Sequence, residues 1–240
     1  MIAISFALPT ESSGILRWLK SKHITTTGGV TIYRGEIAER EVAVFHTGVG
    51  RAHCQRNVQA ALGALRPRLL ISSGFAGSLT DRLQVGDLIV AQNFSDWRSA
   101  TQLLEAESAS MSVQPVILFT SNRVIESAEE RRQIAQRHRA DAIDMETEVI
   151  ATACTVQQIR MISLRVISDG PLAPFPAPAE VLFDVTRQRT DYGKLVRYLV
   201  AHPSAIGRFI EFMKRITKAR DRLTSCLLDV IPRLGIQDQT

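Results

Sequence analysis

Two apolar segments that each stop at a carboxylate constrain this chain more than any other feature. Ala142–Ile143 leads directly into Asp144-Met145-Glu146, and the longer apolar run Met161–Ile167 leads into Ser168-Asp169. An ionised carboxylate at the end of a buried strand is costly unless another group pairs with it. Binding sites of α/β sheets lie at the carboxyl ends of strands. The pattern therefore predicts a functional site at one edge of an α/β sheet.

Strand-like and helix-like segments alternate along the chain, which is typical of an α/β domain. The spacing of Ile15, Leu16 and Leu19 predicts a helix over residues 10–22. The chain has 240 residues, enough for one large domain with a sizeable core. We therefore predict one α/β domain over residues 1–240, with residues 203–231 as a basic amphipathic helical extension.

The composition favours a cytoplasmic protein without a metal or an organic cofactor. No apolar run approaches the roughly 18 residues that span a bilayer, and no basic stretch precedes the apolar N-terminus as it does in a signal peptide. Three cysteines and five histidines lack the spacing of metal ligands or of a disulfide framework. We therefore expect free thiols in a reducing compartment and histidines that are solvated or hydrogen-bonded.

The positive charge is concentrated near the C-terminus. Residues 187–222 contain ten Lys or Arg against three Asp or Glu, a local balance of +7 in a chain of net charge +5. Nucleic-acid binding is one interpretation of a basic stretch. Aromatic residues are sparse there, however, and no nucleic-acid-binding motif is present, so no nucleic-acid partner is expected.

Two turns rich in glycine follow predicted strands. Gly48-Val49-Gly50 lacks the third glycine of a dinucleotide-binding fingerprint and a clear acidic partner for a ribose, so an ordinary turn is the simpler interpretation. Gly74-Phe75-Ala76-Gly77 is more informative. Small residues after a buried strand allow a ligand to approach backbone N–H groups closely.

Six short segments occur in a fixed order: ALPTE at 7–11, TGVG at 47–50, SGFAGSL at 73–79, VGDLIV at 85–90, DME at 144–146 and RVISD at 165–169. As an ordered set they resemble the nucleoside phosphorylase superfamily, and most closely its hydrolytic branch, the methylthioadenosine/S-adenosylhomocysteine nucleosidases. The resemblance implies a single α/β domain with a twisted mixed central sheet flanked by helices. It also implies a homo-oligomer, for which we expect a dimer.

The resemblance assigns a catalytic role to three acids. Asp169 matches the acid that donates a proton to purine N7, Glu146 matches the residue that holds the ribose hydroxyls, and Glu11 matches the carboxylate that orients the attacking water. The substrate-binding positions that it implies are Met145, Gly74, Phe75, Ala76, Gly77, Val124 and Ile125. No cofactor is implied.

The chemistry of N-ribosyl cleavage agrees with these roles. The reaction places positive charge on the sugar and negative charge on the departing base. A positioned acid that protonates the base is worth typically about 10²–10⁴-fold, and a carboxylate near the ribose stabilises the cationic transition state. Each acid alone also has a structural interpretation: Asp169 as a helix cap, Glu146 in a first helical turn, and Glu11 as a solvated surface residue.

Water is predicted as the nucleophile, in place of phosphate. Phosphorylases of the superfamily place one arginine where this chain has Ser72 and another in the first loop, where it has Leu8-Pro9-Thr10-Glu11. A phosphate dianion requires fixed cations, and only Arg51 reopens the phosphorylase alternative. We therefore predict a nucleosidase that hydrolyses a purine nucleoside and releases adenine. A nucleoside-binding protein without turnover is a further alternative, against which the intact acids argue.

Two regions depart from the nucleosidases. Those enzymes have a Ser-x-Asp-x-Phe strand end that supplies an aromatic face for the base, where this chain has TSNRV at 120–124. Residues 95–115 are short and unlike the methylthio pocket. The segment TDYGKL at 190–195 and the helical stretch beyond it are similar to the hopanoid-biosynthesis-associated branch. That resemblance implies an adenosine attached to a polycyclic lipid as substrate.

The predicted C-terminal helix has an apolar stripe and a basic complement. Such a helix can lie in an anionic membrane interface, which predicts a peripheral membrane contact through residues 203–231. The alternative is that the stripe packs on the domain or on a partner subunit. The apolar positions are Ile206, Phe209, Ile210, Met213, Ile216, Leu223, Leu227 and Val230.

Overall fold

A computed structural model of the chain describes residues 1–96, 98–101, 112–171, 175–184, 188 and 192–234. Its strands are β1 Ile2–Phe6, β2 Lys20–Thr27, β3 Val30–Ile37, β4 Arg40–His46, β5 Leu69–Ser78, β6 Leu88–Ala91, β7 Val113–Val116, β8 Leu118–Thr120, β9 Ala142–Asp144 and β10 Arg160–Asp169. The helices are α1 Pro9–Ser12, α2 Arg51–Leu65, α3 Ala128–His138, α4 Thr147–Val156, α5 Ala179–Leu182, α6 Tyr192–Ala201 and α7 Ser204–Val230, with short 3-10 turns at Ile15–Arg17 and Gln92–Phe94.

The strands form one mixed sheet in the order β2-β3-β4-β1-β5-β10-β6-β7, and β9 joins β5 to β8. Strands β4, β1, β5 and β10 run parallel, so their carboxyl ends meet at one edge. The short strand β9 pairs with the end of β5, with Ile143 opposite Gly77, which brings Asp144 to the same edge. The predicted α/β fold with a mixed central sheet is confirmed.

Buried side chains fill both faces of the sheet. On one face, Ile4 and Phe6 of β1 share a core with Leu223 and Leu227 of α7. On the other face, Ala3 belongs to the core that α2 and α4 complete. Full burial of a leucine contributes about 1.5–3 kcal/mol relative to its exposure. The C-terminal part of α7 is therefore an integral layer of the fold.

The two ends of α7 differ in their surroundings. At the C-terminal end, the apolar stripe of the helix packs on the domain, and Leu223 and Leu227 are fully buried. Near the N-terminal end, Ile206, Ile210 and Met213 remain 44%, 50% and 46% exposed. Among the described residues, no helix is both long enough and apolar enough to cross a membrane.

The predicted helix over residues 10–22 is wrong. Helix α1 ends at Ser12, a 3-10 turn follows, and β2 begins at Lys20. All eight side chains of β2 are exposed, and the strand pairs with β3 at the edge of the described sheet. Because neither face of β2 is buried, its sequence has no alternation of apolar and polar residues to reveal it.

Parts of three regions lie outside the described residues. They are most of the polar segment 95–112, residues 172–174 of the segment 171–178, which contains four prolines, and Arg187 and Arg189 of the basic region. Strand β7 begins at Val113, directly after the first of these regions.

Candidate active site

A cavity of about 420 Å³ lies at the carboxyl ends of the parallel strands. Its lining combines buried carboxylates with a large apolar surface. Nine of the ten residues predicted for the site line this cavity, and the tenth, Gly74, lies directly against Glu11. The nine are Glu11, Phe75, Ala76, Gly77, Val124, Ile125, Met145, Glu146 and Asp169.

Glu11 is held by the backbone on two sides. Its Oε2 accepts the Leu8 N–H at 2.8 Å, which caps α1, and its Oε1 accepts the Phe75 N–H at 2.8 Å. Burial raises the pKa of Glu11, while these two hydrogen bonds and the charge of Arg165 oppose the rise. Glu11 is thus a fixed, buried carboxyl group, which excludes its interpretation as a solvated surface residue.

Gly74 makes room for this carboxyl group. Its φ of +145° lies in the region that favours glycine. A Cβ atom at this position would lie 2.7 Å from Glu11 Oε1 and 2.8 Å from Arg165 Nη1. The sequence predicts a ligand-binding role for Gly74, but Glu11 and Arg165 fill the space beside it, and the N–H of Phe75 bonds to Glu11. The absence of a side chain at Gly74 therefore makes room for Glu11 and Arg165.

Asp144 and Glu146 perform different tasks at the start of α4. Asp144 accepts hydrogen bonds from the backbone N–H of Thr147, at 3.2 Å, and from the Thr147 hydroxyl, so it holds the first turn. The side chain of Glu146 does not cap the helix. Instead its Oε1 accepts the Gly50 N–H at 3.1 Å. Burial, followed by the charge of Asp144, raises the pKa of Glu146 to about 8.

Arg165 is a site residue that the sequence analysis missed. It lies within the buried strand β10, and its guanidinium contacts the Asp144 carboxylate at 3.1 Å. It also donates hydrogen bonds to the hydroxyls of Ser72, at 2.8 Å, and Thr147, at 2.7 Å. A charged residue inside an apolar run requires a buried partner, so RVISD contained a signal that could have identified it.

Asp169 ends β10 with both carboxylate oxygens engaged. Oδ1 accepts a hydrogen bond from the Ser168 hydroxyl at 2.8 Å, and Oδ2 accepts one from the guanidinium of Arg131, a residue of α3. In the described part of the chain Asp169 caps no helix. Arg131 is the second residue that the sequence analysis missed, because it lies among the charged residues of α3 and nothing in their pattern marks it as buried.

The buried charges of the site do not balance. Asp144 pairs with Arg165, and Asp169 pairs with Arg131. Among the residues with described side chains, no ion-pair partner accompanies Glu11 or Glu146, which are 5% and 7% exposed. Buried carboxyl groups thus outnumber buried guanidinium groups, and the excess lies at the Glu11 and Glu146 end of the site. Such an arrangement favours a ligand that gains positive charge.

Aromatic side chains reach the cavity from positions other than the strand end that the nucleosidases use. Phe75 comes from β5, Phe175 follows β10, Phe183 follows α5, and Phe209 and Phe212 come from α7. The rings of Phe175 and Phe212 meet edge to face, with centroids 5.8 Å apart. Further apolar lining comes from Leu182, Leu195, Met213 and Ile216.

The residue that could have restored a phosphate site points elsewhere. The Arg51 side chain is 63% exposed and pairs with Glu148 at 2.8 Å. It is not part of the cavity lining in the described structure. Ser72, at the position of the expected arginine, is fully buried and accepts a hydrogen bond from Arg165.

The described residues contain no group of three His, Cys, Asp or Glu side chains that could hold a metal ion. The three cysteines, Cys54, Cys154 and Cys226, are buried free thiols. Burial raises the pKa of both Cys154 and Cys226 to about 12, so these thiols stay protonated at neutral pH.

Comparisons with known proteins agree with the predicted family. The sequence model described as the phosphorylase superfamily matches residues 1–104 and 95–201. A 5′-methylthioadenosine/S-adenosylhomocysteine nucleosidase of Staphylococcus aureus is 23% identical over 196 residues, which cover 70% of this chain and 86% of that protein. This relative is an enzyme of the class that the sequence predicts.

Two solved structures have the same fold. A futalosine hydrolase mutant of Helicobacter pylori superposes with a TM-score of 0.75 at 17% identity, over 97% of this chain and 99% of that chain. A 5′-methylthioadenosine/S-adenosylhomocysteine nucleosidase of Streptococcus pneumoniae, solved with a transition-state inhibitor, has a TM-score of 0.74 at 19% identity, over 98% and 99% of the two chains.

The raised pKa of Glu146 predicts a pH-dependent effect of Glu146→Gln on stability. The folded protein favours the protonated carboxyl, because its pKa is about 8 against an ordinary value of 4.5. This contribution to stability is complete below about pH 4.5 and is lost as the pH rises through 8. The neutral amide does not ionise, so the melting temperature of Glu146→Gln should match wild type near pH 4.5 and exceed it above pH 8.

Thermal unfolding followed by circular dichroism across this pH range measures the difference. Glu148→Gln, two residues further along at a side chain that is 52% exposed, is the matched control and should show no growing difference. A melting temperature of Glu146→Gln that stays at a constant offset from wild type across the range would contradict the prediction.

Proposed function

The chain belongs to the phosphorylase superfamily, and we propose that it is a nucleosidase that hydrolyses the N-ribosyl bond of a purine nucleoside, with adenine as the base. The observation that carries this proposal is the placement of Glu11, Glu146 and Asp169 around one cavity. The excess of buried carboxyl groups supports a reaction whose transition state is cationic at the sugar. The nucleosidase relatives support the same reaction class.

The proposed reaction divides between the two ends of the cavity. At one end, the Asp169 carboxyl donates its proton to purine N7 while the bond from C1′ to N9 breaks and its electron pair leaves with the base. At the other end, a water oxygen forms the new bond to C1′, and Glu11 accepts the proton that this water loses. Glu146 accepts hydrogen bonds from the ribose hydroxyls. Transfer of a proton back to Asp169 through solvent completes the cycle.

Water is the favoured nucleophile because the described structure offers no free cation beside Glu11 and Glu146. A phosphate dianion at this end of the cavity would lack the fixed cations that it requires. The guanidinium of Arg165 already pairs with Asp144, and Arg51 is turned toward Glu148. These contacts support hydrolysis over phosphorolysis.

We expect the purified protein to release adenine from adenosine derivatives in buffer without phosphate, with a free pentose as the second product. Added phosphate should leave the rate unchanged. Chromatography of the base and of the sugar measures both expectations. Strict dependence on phosphate, with a ribose 1-phosphate product, would identify a phosphorylase, and tight binding of nucleosides without turnover would identify a binding protein.

Asp169→Asn should fold, because the amide is nearly isosteric with the carboxyl, but kcat should fall by about 10²–10⁴-fold because the proton donor is lost. Single-turnover release of adenine, together with the melting temperature, separates the catalytic effect from a loss of structure. Asp141→Asn, at a partly exposed acid outside the cavity, is the control. Turnover of the folded Asp169→Asn protein near the wild-type rate would remove Asp169 from the mechanism.

The proposed substrate carries a large apolar group at its ribose 5′ position. Phe175, Phe209, Phe212 and Met213 line the same cavity as the carboxyl groups. Covering apolar surface contributes about 25 cal/mol per Å², whereas a polar substituent on this wall would lose its hydrogen bonds to water. An adenosine linked to a lipid, as the resemblance of the C-terminal segment implies, meets this requirement.

The proposal includes an anionic lipid surface as a partner of α7. Met213 lines the cavity and is also 46% exposed, and Ile206 and Ile210 nearby are 44% and 50% exposed. Exposed lysines, Lys214 and Lys218, lie on the same segment. Apolar side chains beside lysines match an anionic membrane interface. Continuity with the cavity would let a lipid-linked nucleoside enter without crossing water.

The double variant Ile206→Ser/Ile210→Ser should lose binding to vesicles that contain phosphatidylglycerol, because the exposed apolar contact is removed. It should keep the wild-type melting temperature and the hydrolysis of a small, water-soluble adenosine. Co-sedimentation at low and high salt measures binding, which should weaken with salt. Val156→Ser, at a valine of α4 that is 78% exposed, is the matched control.

Two results would contradict the lipid surface. One is a wild-type protein that stays in the supernatant at low salt. The other is a double variant whose mass in solution falls, which would assign this face to a second copy of the chain and to the homodimer that remains a prediction.

A further inference from the structure

Arg131 is the most deeply buried residue of an otherwise charged and solvated helix. It lies on α3 and is 3% exposed, whereas the side chain of Arg132, beside it, is 65% exposed. Its Nε donates to the Ile125 carbonyl and its Nη1 to the Ser78 carbonyl, both at 2.9 Å, while Nη2 contacts Asp169. One side chain thus joins three separate segments at the base of the cavity.

A buried guanidinium is costly unless its charge and its N–H groups are satisfied. Here the backbone carbonyls satisfy two sides, and the third side is directed to Asp169, the acid that is proposed to protonate the base. The Ser168 hydroxyl binds the other oxygen of Asp169 at 2.8 Å. Arg131 and Ser168 together fix the plane of the carboxyl group.

Gly77 shows how closely the backbone approaches this pair. A Cβ atom at Gly77 would lie 2.9 Å from Arg131 Nη1 and 3.1 Å from Asp169 Oδ2. The strand end of β5 therefore closes over the ion pair, and any side chain here would push the two groups apart. This glycine provides space for the protein's own charges, as Gly74 does.

We propose that Arg131 is a positioning residue for proton transfer, a role that rests on the nucleosidase function proposed above. When the proton leaves Asp169 for purine N7, the carboxylate that remains lies against a cation that is already in place. The guanidinium keeps all its own protons throughout. Preorganised charge of this kind lowers the free energy of the transition state and requires no rearrangement during the reaction.

The same side chain also supports the wall that faces the substrate. Through Ile125 it holds the segment after β8, where Val124 and Ile125 line the cavity. Loss of Arg131 would therefore affect the orientation of the acid and of the neighbouring wall. A lysine would keep the charge but cannot donate to three acceptors in this planar geometry.

Other charged groups also lie near Asp169. Asp81 and Arg215 share a small cavity of about 220 Å³ with Asp169, and Arg123 lines the main cavity. Arg123 contacts Glu130. Arg131 is the cation in direct contact with Asp169 in the described structure, so its removal is the change to which the acid should respond most.

The test uses the full chain with Arg131→Gln, Arg131→Lys and Arg131→Ala, and with Arg132→Gln as the surface control. In Arg131→Gln, kcat for adenine release should fall by about 10²-fold, the size of effect seen when one preorganised donor is removed. KM should change much less. Arg132→Gln should match wild type in both.

Guanidinium ion, added below denaturing concentrations, should restore part of the rate of Arg131→Ala. If Arg131→Gln does not fold, Arg131→Lys replaces it: the lysine keeps a buried cation but cannot donate to the three acceptors in this geometry, so kcat should still fall. A folded Arg131 variant with the wild-type kcat would overturn the role. A loss of rate that follows only the melting temperature, without rescue by guanidinium, would also overturn it. A wild-type protein that releases no purine would instead overturn the proposed function.

Discussion

The contact between Arg165 and Asp144 is the constraint on which the active edge of the sheet depends. Arg165 lies within a buried strand, so its charge must be met inside the protein. Asp144 meets it at 3.1 Å and, through Thr147, fixes the start of α4. Glu146 is thereby directed into the cavity. Removing one partner of a buried pair costs about 3–5 kcal/mol. Loss of this pair would therefore both destabilise the fold and displace Glu146.

Within the described residues, the same edge leaves the carboxyl groups of Glu11 and Glu146 without an ion-pair partner, which lowers the stability of the fold. Burial raises the pKa of Glu11 and brings that of Glu146 to about 8, so the folded protein resists charging both groups. A ligand that develops positive charge between them relieves this resistance. The interactions that weaken the free protein are thus the ones that strengthen in the proposed transition state.

The sequence predicted the parts of the site that follow from strand ends. Asp169 and Glu146 come directly after apolar strands, so the sheet alone brings them together. Arg131 could not be predicted in this way, because Arg131 and Arg132 are equivalent in the local pattern and only tertiary packing buries the first. Strand β2 was not predicted for the opposite reason. All its side chains are exposed, so its sequence does not alternate between apolar and polar residues.

The residues that line the cavity come partly from the segment that matches the superfamily and partly from beyond it. The carboxyl groups and the ends of β5 and β10 lie within the matched residues, which extend to 201, whereas Phe209, Phe212 and Met213 come from α7, beyond that limit. The residues of the proposed chemistry therefore lie in the segment that matches the superfamily, and the apolar surface beside them comes from a helix outside that segment. Because the C-terminal end of α7 is part of the core, the helix cannot be removed to test its other end. The proposed selectivity for the 5′ substituent is consequently coupled to folding, and substitutions near the N-terminal end of α7 are the ones that separate the two.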